Sequence, residues 1–441
     1  MPAPLMQIST PDVLPASADC VVIGAGIVGV SAAYWLARAG KSVVLLEKGL
    51  VGAEQSSRNW GWCRQQNRDA RELPLSTRSL ALWEEMAADI GEDLGFRRCG
   101  LLYLSNTESE LEGWAAWGRF ARGEGIDTRM LGAAEATGRG AATGRSWLGG
   151  VWSPTDGIAD PARAAPLIAK GVGKHGGRVV QNCAARGLEL AAGAVCGVIT
   201  ERGVIATRQV VMAGGAWAGS FLHQLGVTFP QAAIRSSILS VAPGAEGVPS
   251  ALHTAAVSVT RRGDGGHTLA ISGRGHLDLT PGAMMGAKDF LPMFAKRWRA
   301  LRPGGLQGWR SGFETRARWA MDRETPMERM RILDPRPSQA LVAETLRRAR
   351  RLLPALRDSP VQASWAGYID TTPDGVPVID ADVGIGGLIL AAGLSGHGFG
   401  IGPGVGHLVA DLALGRPPIT EVAQYRLDRF RQSQWGKVAK F

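Results

Sequence analysis

The stretch from Cys20 to Glu47 constrains this chain more than any other. A short apolar run, Cys20–Ile23, enters Gly24-Ala25-Gly26-Ile27-Val28-Gly29. A helical pattern follows over Val30–Ala39 and stops at Gly40, and a second apolar run, Ser42–Leu46, ends at Glu47. Each glycine of such a turn has its own role. Gly24 makes the tight turn, Gly26 lets a pyrophosphate approach the backbone, and Gly29 lets helix pack on strand. The helix N-terminus then directs its free N–H groups at the phosphates. Glu47 stands where a ribose diol needs an acceptor, and its charge disfavours the 2′-phosphate of NADP. The stretch predicts an α/β, Rossmann-like domain holding FAD or NAD.

Composition narrows the remaining choices. Of 441 residues 45% are hydrophobic and 20% charged, which excludes disorder and fibrous architectures, and glycine is over-represented at 60. The net charge of +10 is spread over scattered arginines, with no basic block interleaved with aromatics. It reads as a solvated surface suited to anionic substrates, and no nucleic acid is expected. Five cysteines without a CxxC spacing argue against a zinc site or a secreted disulfide framework, so no metal is expected. The first 19 residues lack a basic start and an apolar core. No apolar run reaches 18 residues, and Gly384–Val409 is interrupted by His397, Pro403 and His407. The expectation is a cytoplasmic protein with no transmembrane segment.

Two later segments favour FAD. A hairpin pattern, strand Val195–Thr200 and strand Val204–Val211, ends in Ala213-Gly214-Gly215-Ala216-Trp217. Further on, a strand pattern over Gly384–Leu390 leads to Gly393-Leu394-Ser395-Gly396-His397-Gly398-Phe399-Gly400 and a helical run over Gly404–Leu414. A flavin needs additional backbone donors around its ring, and this second glycine turn feeding a helix offers them.

With these motifs in place the chain resembles the FAD-dependent D-amino acid oxidase family, which includes glycine oxidase, sarcosine oxidase and D-amino acid dehydrogenases. Besides the two glycine turns, the resemblance rests on Ser56-Ser57-Arg58-Asn59-Trp60-Gly61-Trp62, Gly157–Pro161, Ala213–Trp217, Trp365-Ala366-Gly367 and Thr372-Pro373-Asp374. It implies a discontinuous flavin domain from 19–80, 150–225 and 360–420. An interleaved α+β substrate domain with an antiparallel sheet would come from 81–149 and 226–359, flanked by an arm (1–18) and a tail (421–441). Within the substrate domain, Ala233–Val241, Ala255–Thr260 and Thr268–Ser272 read as strands, and Asp289–Leu301 and Gln339–Leu353 as helices. The cofactor contacts implied are Gly24, Gly26, Ile27, Gly29, Glu47, Lys48, Ser56, Ser57, Arg58, Gly61, Trp62, Ala185, Ala213, Gly214, Trp217, Gly367, Gly393, Ser395, Gly396, Gly398, Phe399 and Gly400.

Two departures from the family pattern matter. Gly367 stands where monomeric sarcosine oxidases carry the cysteine that tethers flavin, so the FAD is expected to be non-covalent, with Cys63 the only nearby thiol. Ile369 stands where glycine oxidase carries the arginine that clamps the substrate carboxylate. The local string is closer to sarcosine oxidase beta subunits, and a carboxylate must then be held by another cation, with Arg64, Arg58, Arg310 and Arg316 the candidates. Arg64 lies in a loop resembling an Arg-bearing loop of sarcosine oxidase. Tyr368 and His397 are candidates to line the substrate pocket and to hydrogen-bond near the flavin. The basic run at 347–351 reads as a solvated helix face.

The expected reaction is oxidation of a C–N bond in an amino acid or secondary amine to an imine, which water converts to an oxo product. Oxygen or a quinone would take the electrons, and an oligomer is left open. The competing readings are a hydroxy-acid or glycerol-phosphate-type dehydrogenase, and a non-catalytic or RNA-related flavoprotein.

Overall fold

The computed structural model describes residues 3–431 apart from residue 245. The strand of the first glycine turn, Cys20–Ile23, sits in the middle of a six-stranded sheet. Val43–Leu46 and then Arg178–Val180 lie parallel on one side of it, and Val210–Met212 and then Leu388–Ala392 parallel on the other. Val378–Asp380 closes that edge antiparallel. The central strands are apolar at every position because both faces are covered, as parallel sheets require. The expected strand Val204–Val211 is split. Gly203–Ala206 turns back on Ala194–Thr200, whereas Val210–Met212 enters the parallel sheet. Likewise the strand expected from Gly384 begins only at Leu388, because Gly384 and Gly387 both adopt positive φ and hold the approach in a turn.

One face of this sheet is covered by a close helix pair, Ile27–Arg38 against Gly398–Leu414. A Cβ on Gly406 would lie 2.4 Å from Ser31 Cβ, and one on Gly402 2.7 Å from the Ile27 side chain. Glycines of the C-terminal helix therefore serve helix packing as well as any ligand. The helix starts at Gly398, earlier than its sequence pattern suggests, and runs through Pro403. The N–H of Gly404 is taken by Ser79 Oγ (2.7 Å), from the helix Leu73–Ile90 packed alongside.

The second sheet has ten strands and is mainly antiparallel. Its spine is the pair Ala232–Val241 and Val361–Thr371, in which Ile234 faces Ile369 and Arg235 faces Tyr368. Gly149–Ser153 also joins this sheet, so strands from segments 150–225 and 360–420 take part in both layers. Ser258–Arg261 and His267–Ala270 occupy two other expected strand positions, and the helix Gln339–Leu352 buries Leu341, Thr345, Ala349 and Leu352. The helix expected over 289–301 is only Leu291–Arg297, with Pro292 in its first turn, and the chain extends again at Leu301–Pro303.

The arm and tail pack on the flavin-type sheet region: Met6 N–H donates to Ala162 O, and Arg429 pairs with Asp374 at 3.0 Å. Residues 1–2 and 432–441 of the expected arm and tail lie outside the described residues. No described helix is long and apolar enough to cross a membrane. The helix crossing yields a direct test. Gly406→Val would force two backbones apart, and overpacking of this kind costs about 1–3 kcal/mol. The urea midpoint of the FAD-loaded variant should fall accordingly; an unchanged midpoint would mean the crossing is looser than described.

Candidate active site

The first glycine turn borders a cavity. Gly24, at φ +99°, approaches Ala213 so closely that a Cβ would meet its carbonyl oxygen at 2.5 Å. A Cβ on Gly29 would lie 1.9 Å from Gly24 O. The cavity is lined by Gly24, Gly26, Glu47, Lys48, Ser56, Ala185, Ala213, Gly214 and Trp217 of the expected cofactor set, together with Gln55, Tyr368 and Asp370. At Gly26 the helix begins without a cap from its own N-cap side chain, and the Ile27 N–H donates to Ser56 Oγ (2.8 Å). The next N–H groups of the first turn have no carbonyl partner within the helix, the arrangement that favours an anion.

Charged groups around this cavity are tied to the frame. Glu47 accepts the N–H groups of Ala25 (2.9 Å) and Gly49 (2.8 Å), so it clamps the turn as well as facing the cavity; burial holds its carboxyl above the ordinary value. Lys48 sits over the Trp217 ring at 4.5 Å and bridges Glu54 Oε1 (2.5 Å) to the carbonyls of Met330 and Arg331. Glu54 also accepts from the Trp217 indole (3.2 Å). Asp370, missed in the sequence, accepts the N–H groups of Gly393 (2.7 Å) and Leu394 (3.3 Å) and so fixes the second glycine turn. There Ser395 takes φ +51° and its Oγ donates to Gly393 O. Gln55 Oε1 is buried, borders the cavity and has no hydrogen-bond partner. A helix start at the cavity wall, a glycine there whose missing Cβ has only Ser56 Oγ nearby, and a buried Gln55 acceptor without a partner among the described residues together fit FAD.

The remaining expected cofactor residues do not line this cavity. Ser57 Oγ donates to Glu54 O. Arg58 is buried: its Nε donates to Ala53 O, and its Nη1 donates to Ala366 O and pairs with Asp334 at 2.7 Å. It braces the loop, and its charge already has a carboxylate partner, unlike that of Arg64. Gly61 and Gly400 are sites of backbone approach, where a Cβ would meet Ala159 O at 2.4 Å and Trp62 O at 2.6 Å. Gly367 presses on Gln55, Gly393 on Thr372, Gly396 on Ile369 and Gly398 on Leu394, and Phe399 packs against Trp83. These contacts bring loop 55–66, the strand Val361–Thr371 and the second glycine turn together.

Beside that junction lies a cationic and aromatic cluster. Arg64 is half-buried, stacks over Trp62 at 5.5 Å and donates to Gln66 O, with no carboxylate within 4 Å among the described residues. Trp62 packs against Tyr103 and His253, and Trp60 meets it edge-on. His253 is pushed down to about 4 by burial and by Arg64. His397 Nδ1 lies 2.9 Å from the carboxylate of fully buried Glu72. Burial and Arg68 hold the imidazole below its ordinary value against the pull of Glu72.

The other candidates are placed differently. Tyr368 reaches the cavity wall, but its hydroxyl donates to Asp278, which pairs with Arg235 at 2.9 Å. Arg310 is exposed on the short helix Gln307–Ser311, and Arg316 is half-buried with its carbonyl bonded to His223. Cys63 is fully buried, and desolvation drives its thiol well above the ordinary range, so no thiolate is available to a flavin.

Two tests follow from this geometry. In Gly26→Val the added side chain occupies the pyrophosphate cradle and the purified protein should lose its flavin, whereas Cys63→Ala should keep it; normal flavin content in folded Gly26→Val would refute the placement. Asp156 is buried with only backbone N–H partners, Gln65 and Gln66, and burial raises it to about 6. An unfolded aspartate titrates at about 3.9, so the stability tied to the native carboxyl is full below about pH 4 and is lost as pH rises to about 6. Asp156→Asn should therefore gain on the native chain over that interval in urea titrations and hold a constant difference above it. A difference that stays flat from pH 4 to 6 would contradict the assignment.

The family profile of FAD dependent oxidoreductases matches residues 19–412. Glycine oxidase of Bacillus licheniformis is 24% identical, the alignment covering 91% of this chain and 95% of that one. Sarcosine oxidase subunit beta of Rhizobium meliloti is 25% identical over 94% and 88%. Among solved structures, L-amino acid deaminase from Proteus myxofaciens, in complex with anthranilate, superimposes with a TM-score of 0.92 at 26% identity, covering 98% of this chain and 97% of that one. The chain belongs to the DAO family of FAD-dependent oxidoreductases.

Proposed function

We propose that this chain oxidises the C–N bond of an amino acid or N-substituted amino acid whose carboxylate is held by Arg64. The observation that carries this reading is a half-buried guanidinium with no carboxylate partner among the described residues, stacked on Trp62 at the junction of the 55–66 loop with the second glycine turn. The names of the similar proteins, for glycine, sarcosine and L-amino acids, support an amine that also carries a carboxylate.

The chemistry FAD supplies when bound is acceptance of a hydride from the carbon bearing a neutral amine; water hydrolyses the resulting imine to an oxo product. The protein's share is positioning and exclusion of water. Arg64 offers planar, bidentate geometry to a carboxylate. Trp60, Trp62 and Tyr103 form an apolar wall that raises the weight of that contact. His397, kept neutral by burial and oriented by Glu72, can hydrogen-bond a ligand through Nε2 without adding charge. The hydride step itself needs orientation more than a strong base.

Arg64→Ala tests the reading. A charged hydrogen bond to a carboxylate contributes about 1.5–3 kcal/mol, so kcat/KM for amino acids should fall about ten- to a hundred-fold. Matched amines lacking the carboxylate should lose far less, with flavin content unchanged. Equal losses on both substrate types would overturn the assignment of Arg64.

A further inference from the structure

The 64–72 segment contains a second guanidinium that the proposed contact does not use. Arg68 is 2% exposed, yet no carboxylate lies within 4 Å of it among the described residues. Its Nε donates to Arg64 O at 3.3 Å, and its Nη1 has no partner among the described residues. Its own carbonyl is fixed by the Trp117 indole (3.0 Å). The charged and titratable groups whose fields reach it are Arg64, Glu72, Tyr103 and Asp156, together with His397 and Cys63. Both carboxylates among them are engaged elsewhere, Glu72 by His397 and Asp156 by the N–H groups of Gln65 and Gln66.

A buried cation without a direct counter-ion is unfavourable, and a second cation, Arg64, four residues away adds repulsion. Such an arrangement persists where it serves an anion that comes and goes. We propose that Arg68 is a positioning residue for carboxylate binding. From beneath the loop it holds the Arg64 carbonyl and adds a fixed positive field, so that the site selects a ligand bearing one carboxylate over its neutral isostere. The inference rests on the amino-acid reading above and deepens it, because the selectivity is assigned to a charge that the ligand does not touch. Arg64 contacts the carboxylate, and Arg68 supports Arg64.

The test uses the FAD-loaded protein and two probes, acetate and acetamide, with binding read from the perturbation of the flavin absorbance. Wild type should prefer acetate. Arg68→Met, which removes the charge and keeps the buried stem, should weaken acetate about tenfold and leave acetamide unchanged, as expected for loss of one partly screened charge near the ligand. Arg68→Lys should recover acetate binding to within about threefold, a rescue that a purely structural role for the guanidinium would not give. With an amino acid substrate, Arg68→Met should raise KM and leave kcat nearly unchanged.

The outcomes separate the two readings. Wild type without acetate preference overturns the carboxylate site itself and this inference with it. Wild-type preference that survives in Arg68→Met overturns the inference alone. Loss of flavin or fold in Arg68→Met, with Arg68→Lys failing to restore acetate binding, assigns Arg68 to the frame and also overturns it.

Discussion

The close crossing of the helices Ile27–Arg38 and Gly398–Leu414 is the constraint on which the rest of the structure depends. Residues more than 370 positions apart in sequence approach so closely at Gly402 and Gly406 that no Cβ fits. That contact carries the second glycine turn to the first and sets both beside the same sheet. It explains why glycines recur beyond the phosphate turn. It also makes the flavin-type sheet a discontinuous assembly, completed only when the last strand and helix are in place.

From this frame the site is built by a small number of buried acids acting on backbone N–H groups. Glu47 holds the first turn through Ala25 and Gly49, Asp370 the second through Gly393 and Leu394, and Asp156 the loop after Arg64 through Gln65 and Gln66. Each is shifted upward mainly by burial. Backbone loops that would otherwise fray are thus fixed by charge-assisted hydrogen bonds around a dry cleft. Cations are handled differently: Arg58, Lys48 and Arg235 are bound into the frame, whereas Arg64 is not.

The first strand–turn–helix unit was legible because its spacing follows from local sterics alone, and the structure places Gly24, Gly26 and Glu47 at one cavity. Strand and helix ends were less legible where distant partners decide them. Gly203–Ala206 and Val210–Met212 read as one apolar run but pair with different sheets. Arg58 and Arg64 look equivalent in sequence, six residues apart on one loop. Their difference comes from Asp334 and Ala366, brought in from 276 and 308 positions away. Asp370 and Arg68 were overlooked for the same reason, since burial and the absence of a partner are tertiary properties. Asp370, adjoining the Thr-Pro-Asp motif, did carry a local hint.

A substrate carbon bearing both an amine and a carboxylate is the central claim for this flavoprotein. The most direct measurement is anaerobic bleaching of the bound flavin by paired compounds. These are primary and N-methyl amino acids, the hydroxy acids of the same carbon skeleton, and the corresponding amines without a carboxylate. Rapid loss of the oxidised flavin band is expected with one or more amino acids, and slow or no loss with the hydroxy acids and simple amines. Bleaching by hydroxy acids but not by their amino counterparts would contradict the claim.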